Sequence, residues 1–188
     1  MPKDLSQMTL EELWQLFPIF LVEHSPAWER QYDEMADALS ELLSDFQVQR
    51  ISHIGSTAID GIMAKDIVDI LVELPRHASM EAAASALERA GFIVMFAESG
   101  RISLNRGYTP DGFADEVFHV HLRYAGDNDE LYFRDYLNEH PEVAREYEAL
   151  KLALWKRYEH NRDAYTEAKT DFIASVTARA KVDYAGRY

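Results

Sequence analysis

Cysteine is absent from the 188-residue chain. That removes disulfide bridges, thiolate metal sites, iron–sulfur clusters and a cysteine nucleophile from consideration. Long apolar runs are absent too. The nearest, residues 16–22, is interrupted by Pro18 and falls far short of the roughly 20 residues that a membrane-crossing helix requires. The N-terminal Met-Pro-Lys-Asp-Leu-Ser has no basic region leading into an apolar one, so no secretory leader is expected and a cytoplasmic location is. Positive charge is scarce. Nineteen Lys and Arg face thirty-three Asp and Glu, a formal charge of −14. The deficit lies in residues 1–127, with nine basic and twenty-one acidic groups, whereas residues 128–188 carry ten and twelve. Such a chain repels nucleic-acid backbone, which excludes a general DNA or RNA binder. A small anionic ligand stays compatible, because a local basic pocket or a bound cation overrides the global field.

What is present is a folded domain's composition, 47% hydrophobic and 28% charged residues. The length predicts one domain spanning 1–188. Thr9-Leu10-Glu11-Glu12 fits a capping box, and Ser25-Pro26 opens a helix that carries Trp28, Tyr32, Met35 and Leu39 at helical spacing to about residue 44. The period then changes. Alternation over 48–54 and a dense β-branched run over 67–74 predict strands. Ser79 caps an alanine-rich helix that Gly91 stops. Short strands are predicted at 92–97, 102–105 and 117–124, then helices at 131–139, 141–158 and 164–180. The expected architecture is therefore α/β (α+β): a mixed sheet flanked by helices over about 25–125, with a helical C-terminal segment over about 128–180.

The most informative stretch lies between residues 50 and 72. A strand ending in Gly55-Ser56-Thr57 lets backbone approach a ligand, with free N–H groups and two hydroxyls as donors. A dozen residues on, a buried strand carries Asp69, and strand alternation puts Asp69, Leu71 and Glu73 on one face. Anion donors beside carboxylates suit metal-assisted phosphoryl or nucleotidyl transfer. Gly55-Ser56 is alternatively a plain tight turn, and Asp69 a structural acid pairing with Lys65. His119 and His121 share a strand face, where they serve a metal, a phosphate or proton transfer, or else simply hydrogen-bond along a groove. A histidine-based metal site needs a third ligand, with His53 or Asp69 as candidates.

Residues 51–62, Ile-Ser-His-Ile-Gly-Ser-Thr-Ala-Ile-Asp-Gly-Ile, followed by Ala64-Lys65-Asp66-Ile67-Val68-Asp69, resemble the central text of the GrpB family. That family is a branch of the nucleotidyltransferase superfamily with the polymerase-beta-like fold, also found fused to dephospho-coenzyme A kinase. The likeness extends to Ser25-Pro26-Ala27-Trp28, to His119-Val120-His121, to Phe133-Arg134-Asp135-Tyr136-Leu137 and to Tyr165 and Lys169, so it covers about residues 25–180. Departures stand at Ser52, where the family usually has glutamate, and at Asp60 and Asp66, where it usually has proline. Active nucleotidyltransferases read Asp-x-Asp on the carboxylate strand, and here the second position is Leu71.

The resemblance implies binding of a nucleotide or phosphorylated small molecule with Mg2+, possible nucleotidyl transfer, and no membrane partner. The expected roles are Asp69, His119 and His121 as catalytic groups, and Asp69 with Glu73 as Mg2+ ligands. Gly55, Ser56, Thr57, Lys65 and Arg134 are the expected phosphate contacts. Arg134 reads otherwise as half of a helix ion pair with Asp135, and Lys65, Lys151 and Lys169 as solvated or paired lysines. The competing expectations are a catalytically degenerate binding or regulatory module and a His/Asp metal-dependent hydrolase. Oligomeric state is not legible.

Overall fold

The computed structural model describes residues 4–188; Met1, Pro2 and Lys3, part of the stretch read for a leader, lie outside the described residues. The capping box forms as its spacing predicts. The Glu12 N–H donates to Thr9 Oγ1 at 3.2 Å and the Thr9 N–H to Glu12 Oε2 at 2.7 Å, opening α1 (Leu10–Leu16). The Ser25 hydroxyl accepts from the Ala27 N–H at the start of α2 (Ala27–Leu42).

Five strands make one mixed sheet: β1 (Arg50–Ile54), β2 (Val68–Leu74), β3 (Ile93–Glu98), β4 (Arg101–Thr109) and β5 (Gly112–Tyr124). Their order is β1-β2-β5-β4-β3, and β2 pairs with β5 in parallel while the other neighbours are antiparallel. The alternation along β2 divides the molecule. Val68, Ile70, Val72 and Leu74 join Phe118, Val120 and Leu122 of β5 in the main core. There they meet Trp28, Met35 and Leu39 of α2 and Met80, Ala83, Ala84 and Leu87 of α3 (Met80–Arg89). The opposite face presents Asp69, Leu71 and Glu73. Leu71 packs there against Ile54 and against Leu131 of α4 (Asp129–Glu139). The rest of the C-terminal segment is α5 (Pro141–Tyr158), α6 (Arg162–Glu167) and α7 (Thr170–Asp183), and α4, α5 and α7 share a second apolar cluster. The expected sheet flanked by helices is thus observed. Among the described residues no helix is long and apolar enough to cross a membrane.

Two elements differ from expectation. β4 and β5 run on past 105 and before 117 into a long hairpin, because a bulge between Arg106 and Tyr108 absorbs the break in apolar alternation. The single helix expected over 164–180 is two, α6 and α7, with Ala168 and Lys169 between them. Both of those residues keep right-handed backbone (ψ −11° and −12°), so neither glycine nor proline marks the interruption.

The connector from β1 to β2 is tied down from both sides. Asp66 accepts the Trp28 indole N–H at 2.6 Å, a bond that the family's usual proline there could not make. Met63 donates its N–H to Glu148 Oε1 at 2.5 Å and accepts from the buried Lys151 ammonium, which fixes the connector to α5.

The bulge gives a test of the hairpin. Gly107 has φ +95°, and a methyl group there would run into the Glu116 carbonyl oxygen and the Val117 backbone. Gly107→Ala should cost about 1–3 kcal/mol in urea unfolding; an unchanged midpoint would show that the hairpin does not approach so closely.

Candidate functional site

The parallel register of β2 and β5 sets Asp69 beside His119 and Leu71 beside His121, all toward the C-terminal helices. His119 Nδ1 and His121 Nε2 both lie 3.2 Å from the same oxygen, Asp69 Oδ1. Their outer nitrogens meet hydroxyls: His119 Nε2 is 2.9 Å from Tyr108 Oη, and His121 Nδ1 is 3.1 Å from Ser103 Oγ. Arg162 donates to Tyr108 Oη at 2.9 Å and sets its Nη2 3.4 Å from His119 Nε2, which favours that ring nitrogen as an acceptor with the proton on Nδ1. His119 then donates to the carboxylate from its inner nitrogen, and His121 places its own inner nitrogen on the same oxygen.

Burial would push the Asp69 carboxyl up, but the bonds and the fields of His119 and His121 overcome it and hold it well below the carboxylate range. Burial pushes His119 down to about 4 despite Asp69, which agrees with a neutral ring. Withdrawing a carboxylate from water costs several kcal/mol. Two hydrogen bonds to a charged acceptor return about 1.5–3 kcal/mol each. Cations also stand close by.

Those cations are unusual for their lack of ion-pair partners among the described residues. Lys65, Lys151, Arg162 and Lys169 have no carboxylate within 4.0 Å among the described residues, although the chain carries a net charge of −14. Lys65 and Lys169 both lie over the Tyr165 ring, at 5.8 and 4.5 Å, and both feel the field of Asp69 and of Arg162. Burial and the neighbouring Arg162 and Lys169, opposed by Asp69, lower Lys65 to about 7, and burial and Lys169, opposed by Glu148, lower Lys151 to about 7. Burial and Arg162, opposed by Asp69, bring Lys169 to about 8.

Gly55 sits against Asp69. With φ +73° it bends the chain after β1, and a methyl group there would lie 2.5 Å from Asp69 Oδ2. The next residue, Ser56, is half-buried, and its hydroxyl makes no hydrogen bond among the described residues. The structure thus brings together Gly55, Ser56, Lys65, Asp69, His119 and His121 of the expected set.

Four expectations are corrected. Glu73 is no partner of Asp69. Its carboxylate accepts from the Gly126 N–H and Asn128 Nδ2, both at 3.0 Å, and faces Arg50 at 3.4 Å. Same-face logic holds, but four strand residues span roughly 13 Å, too far to share one ion. Thr57 is a buried strut whose hydroxyl donates to the Ile67 carbonyl and bonds His53 Nε2. Arg134 spends its guanidinium on Asp135, the His53 carbonyl and Tyr188 Oη. His53 lies on the other face of the sheet, stacked 4.9 Å from the Tyr32 ring of α2, and is excluded as a third ligand.

The donor set also bears on Mg2+. One carboxylate and two imidazoles do not fit an ion that takes an oxygen shell, and Leu71 and the distant Glu73 leave Asp69 without a second acid. Ser103, Tyr108 and Arg162 were not found by sequence reasoning. Tyr108 reaches the site through the bulge and Arg162 through the short α6, and no local signal announces either.

Two glycines with nearly equal φ test the close approach to Asp69. Gly61 has φ +70° and open space where a methyl group would stand. Gly55→Ala should therefore lower stability by about 1 kcal/mol or more beyond Gly61→Ala; equal thermal shifts would show that Gly55 and Asp69 are not in contact.

Comparison with known proteins places this arrangement. The GrpB protein family model matches residues 18–179. The glutamate-rich protein GrpB of Alkalihalophilus pseudofirmus is 34% identical over 168 residues, 84% of this chain and 93% of that protein. A dephospho-CoA kinase of Mycolicibacterium paratuberculosis is 24% identical over 87% of this chain, which spans 46% of that protein's length. The crystal structure of conserved protein GrpB from Enterococcus faecalis superimposes with a TM-score of 0.76 at 32% identity, covering 88% of this chain and 99% of that one. The chain belongs to the GrpB family.

Proposed function

We propose that the Asp69 face of the sheet, beneath α6 and the α6–α7 junction, binds a phosphorylated small molecule of the nucleotide or coenzyme A-precursor class. The observation that carries this is the group of cations without ion-pair partners among the described residues, around a single carboxylate. Lys65, Arg162 and Lys169 hold more positive charge than Asp69 neutralises, in a protein that is acidic elsewhere. Such an excess, partly withdrawn from water, is relieved by an anion. Ser56 adds a hydroxyl with no hydrogen bond among the described residues beside the Gly55 turn, and the half-buried Tyr108 ring lies next to Arg162. The likeness to a dephospho-CoA kinase supports including coenzyme A precursors among the candidates.

Binding is favoured over nucleotidyl transfer on a nucleotidyltransferase-like scaffold. Transfer by paired metal ions needs carboxylates that both grip the metal, and Leu71 is buried in the apolar cluster with Ile54 and Leu131. This supports the binding or regulatory module. Lys65, Lys169 and Arg162 would neutralise phosphate oxygens, and His119 and His121 would keep Asp69 from repelling them.

Calorimetric titration with ADP, pyrophosphate and 3′-dephospho-coenzyme A, free of divalent metal, tests this. Lys169→Gln or Arg162→Gln should weaken binding about 10-fold or more, the worth of one charge-assisted hydrogen bond. Affinity for ADP should also fall as pH rises from about 7 to about 9, because Lys169, at about 8, then loses its proton while ADP hardly changes charge. Silence across the panel, or binding indifferent to both variants, overturns the proposal.

A further inference from the structure

Asp69, His119 and His121 have a second property that owes nothing to phosphate. Each offers one ligand atom, Oδ1, Nδ1 and Nε2, and the three atoms lie within 4.8 Å of one another. We infer that these three residues bind one divalent transition-metal ion of the Zn2+ type, with the fourth position open.

The spacing fits. Ligands held about 2.0–2.1 Å from a tetrahedral ion stand roughly 3.3 Å apart, and Asp69 Oδ1 is 3.2 Å from each of the two nitrogens. One carboxylate with two imidazoles is a donor set for a borderline ion such as Zn2+, Fe2+ or Co2+. The partial exposure of Asp69 and His121, 27% and 23% of their side chains, leaves a way in.

The outer contacts carry the inference further. A metal takes the lone pairs of His119 Nδ1 and His121 Nε2, so each ring must carry its proton on the other nitrogen. Those nitrogens face Tyr108 Oη and Ser103 Oγ. A hydroxyl donates or accepts with equal ease. Without metal, Tyr108 and Ser103 donate to the rings; with metal, they accept from them. Neither tautomer leaves an unpaired nitrogen, which a carbonyl or an amide N–H in the same place would not allow. Tyr108 Oη can accept from Arg162 and from His119 together, having two lone pairs. The one contact that opposes the metal-bound tautomer is Arg162 Nη2, 3.4 Å from His119 Nε2. Arg162 Nη1 keeps its bond to Tyr108 in either state. Orienting ligand histidines through outer hydrogen bonds is how metal sites fix the ring and its tautomer.

The test uses untagged protein, stripped with a chelator and kept in phosphate-free buffer, so its outcome is separate from that of the phosphate titrations. Co2+ titrated into the wild type should give visible d–d absorption saturating at one equivalent, and Zn2+ should displace it. Asp69→Asn and His121→Ala, with folding checked by circular dichroism, should weaken Zn2+ binding at least about 100-fold. Ser103→Ala removes only an outer hydroxyl and should weaken it about 10-fold. That variant keeps the inference testable if either ligand variant fails to fold. Absence of a one-equivalent Co2+ signal overturns the site. So does Zn2+ binding that survives loss of Asp69 or His121, since the other five histidines would then be the ligands.

Discussion

The parallel pairing of β2 with β5 aligns Asp69 with His119 across neighbouring strands, and much of the molecule serves to tolerate the negative charge which that alignment takes from water. A parallel pair needs a crossover, here built from α3, β3 and β4. The main core under the sheet holds the two strands in place. On the other face the two imidazoles turn their inner nitrogens onto one carboxylate oxygen. Gly55 permits the chain to pass beside the second oxygen, where any side chain would push the acid away. The register, the glycine and the histidines form one arrangement. Changing one alters the meaning of the others.

Charge is partitioned in the same spirit. The protein carries a net charge of −14, yet Lys65, Lys151, Arg162 and Lys169 have no carboxylate within 4.0 Å among the described residues. Lys151 has a different use from its neighbours. Its ammonium is buried and engaged by the Met63 carbonyl, so it braces the β1–β2 connector. Lys65 and Lys169 are left facing the tyrosine ring and each other's field. They belong to the candidate site, whereas Lys151 belongs to its frame.

Much of this was legible in the sequence, and the limits are physical. Strand periodicity placed Asp69 and Leu71 on one face and His119 and His121 on one face, because a period of two is fixed by backbone geometry. It misjudged Glu73 for the same reason that it succeeded. Alternation gives the face and says nothing of distance along the strand. The motif 51–69 pointed to the right turn, but Thr57 within it proved to be a strut, since a hydroxyl's partner depends on which loop passes overhead. Arg134 forms the ion pair with Asp135 that was the alternative to a phosphate contact, and its two other partners, His53 and Tyr188, lie too far along the chain to be read locally. Tyr108 and Arg162 were invisible. One depends on a bulge and the other on how a six-residue helix docks, and neither leaves a local pattern.

The candidate site draws its groups from two kinds of structure. The acid, both imidazoles and their hydroxyl partners come from the sheet, where register locks them together. Two of the site's three cations, Arg162 and Lys169, come from α6 and the residue joining α6 to α7. Sheet positions are costly to alter, because one replacement disturbs several neighbours at once. Exposed faces of short helices tolerate replacement far more readily. Descent could therefore retune which ligand is accepted, its size and its number of negative charges, by exchanging residues of the helical cover alone. Divergence among relatives should then be uneven: a sheet kept as a common foundation, and a roof rebuilt for each new tenant.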